Sequence, residues 1–135
     1  MMSDRPDPIS AEAVQAFVIA AHGNIDAIQS MLAEQSALAN ATWDWGGGDF
    51  ESALGAAAHT GGREIAALLL ANGARFDLPC AVMLGKVDVV NAILDDNPEL
   101  VRTPGAHGIP LRRHAEIGGS ADMLALIDRF LTQIA

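Results

Sequence analysis

The sequence predicts an all-α fold: a helical-repeat solenoid of four stacked helix pairs. Three observations carry that expectation. The first is a recurring turn glycine. Gly23 is followed by Asp26, Ile28, Met31 and Leu32, Gly61 by Glu64, Ala66, Leu69 and Leu70, and Gly85 by Asp88, Val90, Ile93 and Leu94. Gly119, of the pair Gly118-Gly119, is followed by Asp122, Leu124, Ile127 and Asp128, so that turn holds one extra residue. The acid three places on falls in the first turn of a helix, where the macrodipole favours it. The second observation is composition. Half of the residues are apolar while only 4% are aromatic, a balance suited to close helix packing and not to a sheet. The third is segment length. Helices of two or three turns cannot bury an apolar face alone and must stack on copies of themselves.

The elements follow in order. Residues 1–9 are polar with two prolines and read as a flexible N-terminus, leaving 10–135 as one repeat domain. Ser10 is a plausible N-cap for a helix over about 11–21. Ile25 to Glu34 is its partner. Ser36 to Phe50 is a long connection containing both tryptophans, Trp43 and Trp45, and the run Gly46-Gly47-Gly48, which cannot be helix interior. It should be ordered, because Trp43, Trp45 and Phe50 gain by leaving water. The second pair runs from Ser52 to Leu70, and the third spans Asp77–Leu84 and Val87–Asp95, ended by Asn97-Pro98. Glu99 to Gly108 is another connection. Ile109-Pro110-Leu111 opens the fourth pair, which closes over about 121–131. Leu54, Leu68, Leu69, Val90, Ile93, Leu94 and Leu111 should lie between pairs. Ala125 and Leu126 should face inward, with Asp128 and Arg129 on the polar end.

The stretch Ser52 to Ala74, SALGAAAHTGGREIAALLLANGA, resembles an ankyrin repeat, in which T-P-L-H-x-A-A-x-x-G precedes a helix of the E-V-V-x-L-L-L-x-x-G-A type. The resemblance extends over about residues 12–131 and implies an ankyrin-like solenoid. The glycine spacings are 38, 24 and 33 residues against a family period of about 33. The first inter-repeat finger is therefore enlarged, the second nearly absent and the third ordinary. The family's T-P-L-H histidine is missing, its positions being held by Phe17, Gly55, Pro79 and Arg112.

Composition excludes several classes. The net charge of −9 disfavours nonspecific nucleic-acid binding. No apolar run is long enough for a membrane span and no signal-peptide pattern opens the chain. Cys80 is the single cysteine, so no intrachain disulfide forms. That suits a cytoplasmic location, and Cys80 reads as a core residue. There is no P-loop, no G-x-S-x-G, no Cys/His zinc spacing and no H-E-x-x-H, so neither a cofactor nor a metal is expected.

The candidate functional residues lie in the first and third fingers. With the second finger nearly deleted, these two should face each other. One carries Trp43, Asp44, Trp45, Asp49 and Glu51. The other carries His107 and runs into Arg112 and His114. Tryptophans supply contact area at small entropic cost, and opposed charges orient a ligand. Asp44, Asp49 and His107 are the candidates for acid–base catalysis, since a histidine beside a carboxylate moves protons near neutral pH. His22 and His59 read as surface turn residues. The ankyrin resemblance implies an interaction module that binds a protein partner through fingers and concave face. The facing fingers suggest the alternative, a pocket for a small molecule or a small acid–base enzyme.

Overall fold

The computed structural model describes residues 4–135 and is mostly helical. Eight α-helices are present among them: α1 (Ala11–Ala20), α2 (Ile25–Glu34), α3 (Ala53–Thr60), α4 (Arg63–Ala71), α5 (Leu78–Met83), α6 (Val87–Asp96), α7 (Leu111–Gly118) and α8 (Ala121–Gln133). One small antiparallel sheet joins β1 (Thr42–Asp44) to β2 (Phe50–Ser52). Of the N-terminal segment expected to be loosely ordered, residues 1–3 lie outside the described residues. Residues 4–8 are exposed, and Ile9 packs against the core.

Local sequence explains the helix starts. The side chains of Ser10, Asn24, Ser52, Asp77 and Ser120 each accept a hydrogen bond from the amide three residues on, which satisfies an orphan donor of the first turn. Gly61 ends α3 in the left-handed conformation at φ 71°, as a glycine after a helix does. Helices α1 and α3 pack together, as do α3 with α5 and α5 with α7. On the other side α2 meets α4 and α6 meets α8.

The core divides between two apolar clusters. One joins Phe17, Ile28, Leu54, Leu69 and Met83, the other Val90, Leu94, Leu111, Ile127 and Phe130. Of the expected core, Leu54, Leu69, Val90, Leu94 and Leu111 are buried, while Leu68 and Ile93 are half-buried. Leu126 is buried, whereas Ala125, expected to face inward, is exposed. Cys80 is buried, and burial pushes its thiol up to about 12. Arg63 ties the helix ends together, donating to the carbonyls of Met83 at 3.2 Å and Gly118 at 2.6 Å. A Cβ at Gly118 would collide with the Met83 backbone oxygen, so only glycine permits that approach. No helix among the described residues is long and apolar enough to cross a membrane.

The long connection after α2 is the element that makes the site. A short 3-10 turn over Ser36–Asn40 leads into the hairpin. Its register pairs Thr42 with Ser52, Trp43 with Glu51 and Asp44 with Phe50. The tip turns on Gly46, Gly47 and Gly48, all at positive φ. Asp44 accepts at one oxygen from the amides of Gly46 (2.9 Å) and Gly48 (3.0 Å). Alternation along β2 turns Phe50 outward and Glu51 inward. The connection is thus built into the fold, but Phe50 is 64% exposed and Trp45 39%. The expectation that all three aromatic rings leave water holds best for Trp43, which is half-buried against the core.

Candidate metal centre

Glu51 is fully buried. A buried carboxylate is costly unless hydrogen bonds replace its lost hydration, and here four ring nitrogens converge on it. Trp45 donates its indole N–H to Oε1 at 2.9 Å. Nε2 of His59 lies 2.8 Å from Oε2, Nε2 of His22 3.1 Å from Oε1, and Nε2 of His107 3.2 Å from Oε2. The three imidazoles fan around the carboxylate edge to face. Ring centroids are 5.1 Å apart for His22 and His59 and 5.4 Å for His59 and His107. Trp45 leans on His22 and His107 from the outside.

Each side chain has a separate anchor. His22 follows α1, and its Nδ1 lies 2.8 Å from the Val18 carbonyl and 3.2 Å from that of Ile19. His59 stands in the last turn of α3. His107 sits in the short turn Ala106–Gly108 with φ 60°, the one non-glycine residue at positive φ among those described. Asp49 holds it there. One oxygen accepts from the His107 amide at 2.8 Å, and the other lies 2.7 Å from His107 Nδ1. A non-glycine left-handed backbone persists only where its surroundings fix it, and the bidentate grip of Asp49 does so. The same pair sets the charges. The hydrogen bond from the His107 amide, then that from its ring, holds the Asp49 carboxyl below the usual carboxylate range. The Asp49 hydrogen bond, followed by the charge of Glu51, raises the His107 pKa.

These contacts fix the tautomers. A carbonyl or carboxylate oxygen only accepts, so Nδ1 carries the proton in both His22 and His107. In their neutral forms Nε2 of each is then a bare lone pair. Both lone pairs point at the Glu51 oxygens, which are also acceptors. The arrangement therefore calls for positive charge among these atoms. It can be supplied by protonating two adjacent imidazoles, or by one cation that all four side chains ligate. One ligand atom each from His22, Glu51, His59 and His107 lies within 4.8 Å of all the others. Nitrogen and oxygen ligands at about 2.0–2.2 Å from a tetrahedral ion stand roughly 3.4 Å apart, so the widest pairs must draw in by up to about 1.4 Å and the closest must open to form the set. A backbone carbonyl or carboxylate on the far nitrogen of a ligating histidine is the usual outer support of such a site, and His22 and His107 each have one.

No protein-family model and no curated protein matches this sequence. The chemistry open to the cluster follows from its own atoms.

The sequence-derived candidates divide accordingly. The first and third fingers do meet, through Asp49 and His107, and Trp45 and Glu51 join them. Asp44 does not, because its carboxylate faces the solvent side of the hairpin and holds the glycine turn. Trp43 packs into the core. Arg112 points to α8, where it donates to both oxygens of Asp128 at 2.8 and 3.3 Å. His114 is buried and bonded through Nδ1 to the Pro110 carbonyl at 2.9 Å, outside the cluster. The anticipated open gap between the fingers is bridged by the Asp49–His107 contact. His22 and His59, expected as surface turn residues, have side chains only 29% and 15% exposed and complete the cluster. A sequence signal for them existed. Both stand at the ends of the first helices of successive pairs, just before a turn glycine, and stacking α1 on α3 brings such ends together.

Proposed function

We propose that this protein binds a divalent transition-metal ion through His22, Glu51, His59 and His107. The observation that supports this is the convergence of three imidazole Nε2 atoms on one fully buried carboxylate, with a ligand atom from each of the four side chains within 4.8 Å of the others. A three-histidine, one-carboxylate set suits zinc and its first-row neighbours, imidazole being the ligand these ions share. Asp49 and the Val18 carbonyl orient two of the histidines, and Trp45 fixes one Glu51 oxygen. The helices would supply the frame as an ankyrin-type stack of four pairs, with the enlarged first finger carrying Glu51 between the ends of α1 and α3. Acid–base catalysis by Asp49 and His107 is less well supported, because His107 Nε2 points at Glu51 and not into an open cavity. A finger surface for a protein partner has no comparable support, since the two fingers that would grip a partner are bonded to each other.

The test is zinc titration of chelator-treated protein by calorimetry, with metal content measured after dialysis. A single ion per chain is expected, together with a rise in Tm, because a ligand that binds only the folded state stabilises it. Glu51→Gln and His59→Ala should each weaken binding by more than the roughly 10–100-fold that loss of an outer support costs. Stoichiometric binding that survives both substitutions, or no retained metal in the unsubstituted chain, would refute the reading.

A further inference from the structure

Beside the cluster, on the other flank of Asp49, lies a cavity of about 320 Å³. Asp49 and Phe50 of the hairpin, Asp77 and Pro79 at the start of α5, Gly105 and His114 are among its walls. We propose that this cavity binds a small organic ammonium ion, with His114 Nε2 and the Asp77 carboxylate as its acceptors.

The first observation is His114. Its side chain is only 1% exposed, yet of its two nitrogens only Nδ1 has a partner, the Pro110 carbonyl. That partner accepts, so Nδ1 carries the proton and Nε2 presents a lone pair. No buried side-chain nitrogen among the described residues lacks a partner, so Nε2 is open to the cavity and not sealed in the core. An acceptor on an otherwise buried ring, reachable only through the cavity, is placed to receive a donor that a ligand brings. Burial lowers the His114 pKa, which keeps the lone pair available at neutral pH.

The second observation is Gly105. Its φ of −79° is one that any residue adopts, so the backbone does not require glycine here. A Cβ at this position would lie 2.9 Å from His114 Cε1 and 3.0 Å from Nε2. The missing side chain is what keeps the imidazole edge uncovered.

The remaining polar groups select the ligand's charge. Asp77 uses Oδ1 to cap α5 through the Cys80 amide, and the structure gives Oδ2 no hydrogen bond. Asp49 adds a second carboxylate to the wall. Both of its oxygens are engaged by the amide and the ring of His107 on its other flank. His114 Nε2 and Asp77 Oδ2 are thus both open acceptors, and an ammonium group with several N–H bonds suits them better than a carboxylate or phosphate. Phe50, 64% exposed at the rim, offers an aromatic face on which a cation gains further attraction. Pro79 and Pro104 supply apolar wall for a short carbon chain. None of this depends on the metal reading.

The test uses the full chain after chelator treatment, so that amine coordination to a metal plays no part. Ethanolamine is the probe, with ethylene glycol as its uncharged counterpart and acetate as the anion control. The His114 ring nitrogens and the Gly105 amide are followed by NMR. Ethanolamine should shift both saturably, and the two controls should not. Gly105→Ala, which covers the imidazole edge, should weaken binding roughly tenfold or more, the scale of one charge-assisted hydrogen bond. Asp77→Asn should do likewise while retaining the helix cap, since asparagine caps as well as aspartate. If Gly105→Ala unfolds the chain, Asp77→Asn decides alone. No saturable shift, equal binding of ethylene glycol, or undiminished binding in the folded variants would overturn the proposal.

Discussion

His107 and His114 stand on one short stretch of chain and are used in opposite ways. Both give the Nδ1 proton to an oxygen. For His107 that oxygen belongs to a carboxylate at the surface, and a second carboxylate, Glu51, faces Nε2. The ring is drawn toward positive charge or toward a metal. For His114 the oxygen is a neutral carbonyl and the ring is buried. It stays neutral, and its Nε2 is an acceptor. The acceptor on one nitrogen, together with burial, decides what the other nitrogen can do. This is why residue type alone did not assign either histidine.

The largest expected effect breaks the first region only. Glu51→Gln replaces the shared anion by an amide whose NH₂ would face imidazole nitrogens that need a cation. Zinc binding should fall below detection at micromolar protein. The ethanolamine response at His114 should persist, since Glu51 is not among that cavity's walls. Loss of both responses in a folded variant would mean that the two regions are one site.

A smaller effect separates ligand from support. Asp49→Asn keeps the shape of the grip on His107 but removes its charge, so zinc affinity should fall by about 10–100-fold, the usual cost of an outer partner. A loss as complete as that in Glu51→Gln would make Asp49 a ligand itself.

The two histidines should also differ in how pH reaches stability. His114 has a folded pKa below its ordinary value because burial disfavours the cation. In the unfolded chain it protonates near pH 6.5, whereas in the folded chain it resists. The unfolded state then binds more protons, so stability falls as pH drops from about 6.5 toward the folded pKa and is full above that range. His107 has the opposite sign, as its folded pKa is raised by Asp49. Its contribution is full below about pH 6.5 and fades as pH rises through the folded value. Urea unfolding of metal-free His114→Gln and of the unsubstituted chain, compared across this range, isolates the first term. The stability gap between them should narrow on acidification. A gap that widens would place a charged imidazole at position 114.

Much of the fold was legible because helix signals are local. The glycine offsets, the cap Ser10, and Pro98 behind α6 each act within one turn, and the observed boundaries fall beside them. The meeting of the two fingers was legible from spacing, because deleting the connection between α4 and α5 leaves them as neighbours. The metal-ligand set was not. Its members are at positions 22, 51, 59 and 107, and no spacing along the chain relates them; only helix stacking and the inward turn of one strand residue do. Arg112 misled for a similar reason. His107 lies in the turn before α7 and Arg112 in the helix itself, where its guanidinium reaches Asp128 of α8.

Arg112 also gives the smallest prediction. It was a natural candidate for the basic wall of a site, because it follows His107 in an acid-free stretch. In the fold its guanidinium lies against Asp128 at 2.8 Å and Glu116 at 3.6 Å, and these partners raise its already high pKa. The pair is exposed, with side-chain exposures of 45% and 46%, so water screens it. Such surface bridges contribute little and often nothing. Arg112→Ala should therefore leave the urea midpoint close to that of the unsubstituted chain. Zinc affinity and the ethanolamine response should both remain unchanged, because neither the cluster nor the cavity includes Arg112. Parallel urea and calorimetric titrations read all three. A change in either binding response at preserved stability would return Arg112 to the site and show that α7 presents a second face to ligands.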